Sequence, residues 1–86
     1  MDELKQVIRD YIIREYMEEG DALDVSTPLI TGGIVDSFSM VSIKRFLERR
    51  YNIQIPDAEA TPAAFDSVNK IAELVTRVRA RTVPTL

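Results

Sequence analysis

The stretch TGGIVDSFSMVSIKRFLERRYNIQIPD, Thr31 to Asp57, decides how the chain folds. Gly32 and Gly33 mark a turn, and Asp36 follows in the position of a helix N-cap, where its carboxylate can take a free backbone N–H. Val35 before the cap and Met40 inside it have the spacing of a hydrophobic staple. A helix is therefore expected from Ser37 to about Tyr51. Phe38, Val41, Phe46 and Leu47 are expected to supply its buried stripe, Asn52 its end, and IQIPD an extended run into Pro56.

Working outward, Asp2 to Glu19 reads as a first helix. Leu4, Val7, Ile8, Tyr11 and Ile12 recur at helical spacing with charges on the other face, and Gly20 stands where a C-cap belongs. Gly20 to Asp36 is a long connection, a length usually associated with function. Leu23, Val25, Leu29 and Ile30 are expected to pin it to the core, and Thr27-Pro28 reads as the cap and first position of a short helical turn. Thr61-Pro62 repeats that signal inside a short, broken segment, Asp57 to Phe65. Asp66 or Ser67 then caps a last helix, with Val68, Ile71, Leu74, Val75 and Val78 on one face. The expected fold is all-α: a four-helix bundle of three long helices and one short, with a long first loop. Residues 1–81 form one domain in this reading, and 82–86 a disordered tail.

Composition narrows the chemistry. The chain of 86 residues has a thin core and no room for a deep cavity. It has no Cys, no His and no Trp, which removes disulfides, a thiolate nucleophile, the usual zinc ligand sets and the commonest general base. A non-catalytic protein is expected. No apolar run approaches the roughly 18 residues of a membrane span, and no signal peptide is evident, so a cytoplasmic location is expected. The net charge of −3 is uneven: residues 1–36 hold nine acids and three bases, a net −6, and residues 37–86 five acids and eight bases, a net +3.

Asp-Ser at a helix start usually does no more than satisfy backbone N–H groups. Here the pair follows a Gly-Gly turn, which places Ser37 at an exposed loop–helix junction. A phosphate attached there would meet the positive end of the helix. With no base to activate it, Ser37 reads as an attachment point and not as a hydrolytic nucleophile.

GIVDSFSMVSIKRFLERRYNIQIPD resembles the phosphopantetheine segment of acyl carrier proteins: Asp-Ser-Leu or Asp-Ser-Phe at the start of the second helix, then a hydrophobic helix, an aromatic and Ile-Pro. Asp36, Ser37, Phe38, Val41, Ile43, Leu47, Tyr51, Ile55 and Pro56 fall on that pattern, and FDSVNKIAELV, Phe65 to Val75, resembles the opening of the family's last helix. The resemblance implies a 4′-phosphopantetheine, drawn from coenzyme A and attached to Ser37 through a phosphodiester. Its thiol carries an acyl or aminoacyl group as a thioester, which accounts for a carrier chain without cysteine. It also implies that Asp36 is recognised by the attaching phosphopantetheinyl transferase through magnesium, with Phe38 beside it.

Two departures bear on which carrier this is. The second helix holds four bases and one acid from Ser37 to Arg50, where fatty-acid carriers often show acids. Enzymes fitted to an acidic helix would meet repulsion here. The spacing G-I-V-D-S-F is closer to D-alanyl carriers and free-standing aminoacyl carriers. Expected partners are an adenylating ligase that loads the carrier and a downstream acyltransferase or synthase, in fatty-acid or secondary-metabolite biosynthesis. Ser39, Met40, Lys44, Arg45 and Arg49 are the expected partner-binding residues, with Lys44, Arg45 and Arg49 sharing one face. Tyr11, Tyr16 and Tyr51 read as core residues with surface hydroxyls. Lys44 also favours a short or polar cargo. A monomer is expected. Two other classes fit less well: a nucleic-acid binder, disfavoured by the acidic first helix, and a helical interaction module that is never modified.

Overall fold

The computed structural model describes residues 2–18 and 23–82. Every regular element among them is helical: α1, Asp2–Tyr16; α2, Ser37–Tyr51; one 3-10 turn, Ala63–Phe65; and α3, Val68–Thr82. The short element between α2 and α3 is a single 3-10 turn and not a fourth α-helix; Thr61 precedes it, its hydroxyl accepting the Ala64 amide at 3.3 Å. α1 ends three residues before the expected Glu19. Tyr16 and Met17 are its last groups packed on the core, and the exposed Glu18 beyond them offers nothing apolar to hold another turn. The C-cap expected at Gly20 lies outside the described residues. So does most of the expected tail, of which only Thr82 is described, as the last residue of α3.

The core is one cluster. α1 supplies Leu4, Ile8 and Ile12 at helical spacing, and α3 supplies Val68, Ile71, Leu74, Val75 and Val78, all buried. Phe65, on the 3-10 turn, is wholly buried and leads directly into α3. Ile53 and Ile55, from the extended run after α2, close one end.

α2 keeps its expected bounds but not its expected face. Its buried residues are Ile43 and Leu47, whereas Phe38 is 88% and Val41 48% exposed. Helical geometry explains the correction. Phe38 lies nine residues before Leu47, which at about 100° per residue turns it to the opposite side. Phe46 is half-buried and stacks on Tyr11 of α1, ring centroids 4.0 Å apart. Asn52 ends the helix in the left-handed conformation, φ 54°, its N–H donating to the Glu48 carbonyl.

The long loop is held at its apolar and polar points alike. Leu23, Leu29 and Val35 are buried, and Val25 and Ile30 pack beside them. The helical turn expected at Thr27-Pro28 does not form; the Thr27 amide instead closes a turn on the Asp24 carbonyl at 3.2 Å. Hydrogen bonds then tie the loop to the start of α3. The Asn69 amide donates to the Val25 carbonyl at 2.9 Å, and the Leu29 amide to the Asp66 carbonyl at 2.7 Å. The Asp66 carboxylate accepts the amides of Ile30 at 2.8 Å and Thr31 at 2.9 Å, and the Thr31 hydroxyl as well. Asp66 is therefore a loop clamp, and Ser67 is the residue that caps α3, its hydroxyl accepting the Lys70 amide at 3.1 Å.

Candidate functional site

The clamped loop delivers the chain to the start of α2. Both glycines are needed there. A side chain at Gly32 would run into the Pro28 carbonyl oxygen, and Gly33 has φ 81°. The Ile34 and Val35 amides then both donate to the Leu29 carbonyl at 2.9 Å, which seats Val35 in the core and turns Asp36 outward.

Asp36 is the N-cap, with its side chain accepting the Ser39 amide at 2.7 Å. The Ser39 amide first, then the Ser39 hydroxyl and the Phe38 amide, hold its carboxyl below the ordinary aspartate range. It is therefore ionised and exposed at neutral pH. Ser37 is the first residue of the helix proper. It is exposed, and its hydroxyl has no hydrogen-bond partner among the described residues. The first turn of α2 carries no acidic residue, so the positive end of the helix is offset only by the capping Asp36. An anionic group bonded to Ser37 Oγ would project into solvent beside that end and meet no side chain that must first be displaced.

The other expected site residues separate. Phe38 stands outward next to Ser37. Val41, one turn on, is also exposed; the helical count from Leu47 identifies it, although its apolar character suggested the core. Ser39 is half-buried on the α1 side, its carbonyl accepting the Tyr16 hydroxyl at 3.3 Å, so that hydroxyl is engaged in the seam between helices rather than left at the surface. Met40 packs against the core. Lys44 does not share a face with Arg45 and Arg49. It lies half-buried on the other flank, 3.0 Å from the Asp57 carboxylate across the run that follows α2. Arg45 and Arg49 are exposed, and Phe38, Val41, Arg45 and Arg49 follow one another along a single outward stripe.

Tyr51 is half-buried, with the Arg79 guanidinium 5.1 Å above its ring. Among the described residues no cluster of acids could hold a metal ion, and no helix is long and apolar enough to cross a membrane.

No family model matches the chain. Over 78 residues it is 32% identical to a protein of Serratia sp. (strain ATCC 39006) named probable acyl carrier protein PigG, a match that covers 90% of each chain.

Proposed function

The chain belongs to the acyl carrier protein family, and from that premise we propose that residues 1–81 act as one carrier domain whose attachment point is Ser37. As a member of the family it is a carrier and not an enzyme. The observation that carries the assignment of the site is the state of Ser37: exposed, with its hydroxyl unengaged, one residue after an ionised, capping Asp36.

The residues fit a 4′-phosphopantetheine. Ser37 Oγ is the nucleophile toward the pyrophosphate of coenzyme A. The Oγ–phosphorus bond forms, the pyrophosphate bond breaks, the nucleotide half leaves, and the hydroxyl proton passes to the transferase. Asp36 is the carboxylate on this chain that the transferase recognises, through magnesium. Once attached, the group supplies the thiol that holds an acyl or aminoacyl chain as a thioester. In this reading the 3-10 turn is the short helix of the family's four-helix bundle. Phe38 and Val41 offer an enzyme an apolar foothold beside the attachment point, and Arg45 and Arg49 a basic one farther along.

The basic second helix and the G-I-V-D-S-F spacing favour an aminoacyl carrier of the D-alanyl type, loaded by an adenylating ligase and served by a downstream acyltransferase or synthase. The test joins attachment to loading. With coenzyme A, magnesium and a broad phosphopantetheinyl transferase, the intact mass should rise by one group. That thiol should then be loaded once by a ligase supplying an aminoacyl adenylate, and stay loaded. A chain that a range of such transferases leaves unmodified would overturn the proposal, as would repeated turnover of any substrate by the chain alone.

A further inference from the structure

α1 and α2 meet along a seam made by the Tyr11–Phe46 stack, whose ring planes lie within 15° of parallel, and by the Tyr16–Ser39 hydrogen bond. Beside that stack lies a recess of about 420 Å³, lined by Tyr11, Ser42, Arg45, Phe46, Arg49 and Arg50. Its walls are two aromatic rings, the hydroxyls of Tyr11 and Ser42, and three guanidinium groups, with no carboxylate among them. Arg45, Arg49 and Arg50 are all exposed, and none has an ion-pair partner among the described residues. Four of the other bases are paired: Lys44 with Asp57, Arg77 and Arg81 with Glu59, and Arg14, which lies over the Tyr11 ring, with Glu15. Lys5, Arg9, Lys70 and Arg79 have no ion pair among the described residues either, but none of them lines the recess.

Such a cluster does nothing for the fold. Arg45 and Arg49 stand four residues apart on one helix, where like charges repel. What an unneutralised cluster over an apolar floor can do is attract an acidic partner and seat an apolar side chain of it. The recess begins at Ser42, five residues past Ser37, roughly 7–8 Å along the helix at 1.5 Å per residue. An enzyme reaching a group on Ser37 can therefore span both.

We propose that this recess is a docking socket for an acidic segment of the enzyme that loads or unloads the carrier, with its carboxylates paired to Arg45, Arg49 and Arg50 and one apolar side chain laid over the Tyr11–Phe46 stack. The proposal rests on the carrier reading for the identity of the partner. Protein carboxylates fit better than a nucleic acid, because the three arginines span little more than one helical turn and the half of the chain that contains α1 carries a net −6. The Tyr11 hydroxyl can take part as a donor. Burial, and then the neighbouring Tyr16, push its pKa up to about 12, so it keeps its proton at any working pH.

The test is a titration of the ¹⁵N-labelled, unmodified protein, followed by amide shifts. The probe is a synthetic peptide of glutamate interspersed with leucine and phenylalanine; parallel arms use inorganic phosphate, a single-stranded oligonucleotide and simple dilution. The peptide should move amides from Ser42 to Arg50 and around Tyr11, and added salt should weaken it. Replacing both Arg49→Gln and Arg50→Gln should weaken it about fivefold, as expected for two partly exposed charge pairs, and Lys70→Gln on α3 should not. Equal binding by both variants would overturn the socket. So would tighter binding of phosphate or oligonucleotide at the same amides, or the same shifts on changing protein concentration alone, which would make a second copy the occupant. The outcome is separable from the carrier reading, because each variant is also assayed for modification of Ser37. Loss of peptide binding in a chain still modified there removes the contact and leaves the socket supported. Absence of peptide binding by a wild-type chain that is modified removes the socket and leaves the carrier.

Discussion

Asp36-Ser37 and Asp66-Ser67 are the same dipeptide at the starts of two helices, set one residue out of register with each other. In α2 the aspartate is the cap and the serine is the first helical residue; in α3 the serine is the cap and the aspartate stands outside the helix. A cap side chain is taken up by the backbone, so Ser67 is 7% exposed with its hydroxyl on the Lys70 amide, while the Ser37 hydroxyl has no hydrogen-bond partner among the described residues. The aspartates differ in parallel. Asp36 serves its own helix, and Asp66 reaches back to Ile30 and Thr31 and holds the loop that leads to Ser37. A one-residue shift relative to the helix start thus separates a structural serine from an available one.

The largest effect that can test this comparison is on the phenylalanine beside each pair. Phe65 precedes the second pair and is 0% exposed; Phe38 follows the first and is 88% exposed. Phe65→Ala should cost about 3–5 kcal/mol in chemical denaturation, enough to unfold much of a domain this small. Phe38→Ala should stay within about 0.5 kcal/mol. A Phe38→Ala cost above about 1 kcal/mol would mean that the Ser37 end is part of the core.

A smaller effect separates the serines themselves. Ser67→Ala removes a cap and should cost about 1 kcal/mol, whereas Ser37→Ala should change stability by less than about 0.5 kcal/mol. Thermal melts monitored by the helical signal would measure both. Equal losses would show that Ser37 has a structural bond after all.

The helices themselves were readable in the residues. Asp36 and Asn52 bracket α2 because a cap and a left-handed stop are local signals, and the α3 stripe needs only its own spacing. The outward turn of Phe38 was readable too, but only by counting from Leu47, because both residues are apolar and composition does not tell one face from the other. What could not be read is the Asp66 clamp. It joins residues 35 and 36 apart, and no local pattern announces a hydrogen bond of that range. The Lys44–Asp57 pair is similar: it exists because the run after α2 turns back along the helix, and it removes Lys44 from the stripe shared by Arg45 and Arg49.

The smallest effect concerns acid. The Thr31 amide, and then the Ile30 amide and Thr31 hydroxyl, hold the Asp66 carboxyl below its ordinary value. A folded-state pKa lowered in this way adds stability that is complete above the unfolded value of about 3.9 and is lost as the pH falls through the folded one. The protection of the Ile30 and Thr31 amides, taken against the intrinsic exchange rate at each pH, should therefore fall on acidification relative to that of core amides of α3. Asp66→Asn should lower that protection at neutral pH and remove its further fall in acid. Unchanged protection in Asp66→Asn would show that the apolar anchors, Leu29 and Val35, hold the loop without the clamp.

The most direct test asks which Asp-Ser pair accepts the cofactor. The protein is treated with coenzyme A, magnesium and a broad phosphopantetheinyl transferase, then digested and its peptides fragmented by mass spectrometry. The added group should map to Ser37 alone. Ser37→Ala should leave the mass unchanged, and Ser67→Ala, though less stable, should still be modified. A group found on Ser67, or a Ser37→Ala chain that is still modified, would contradict the claim that exposure at the first position of α2 defines the attachment site.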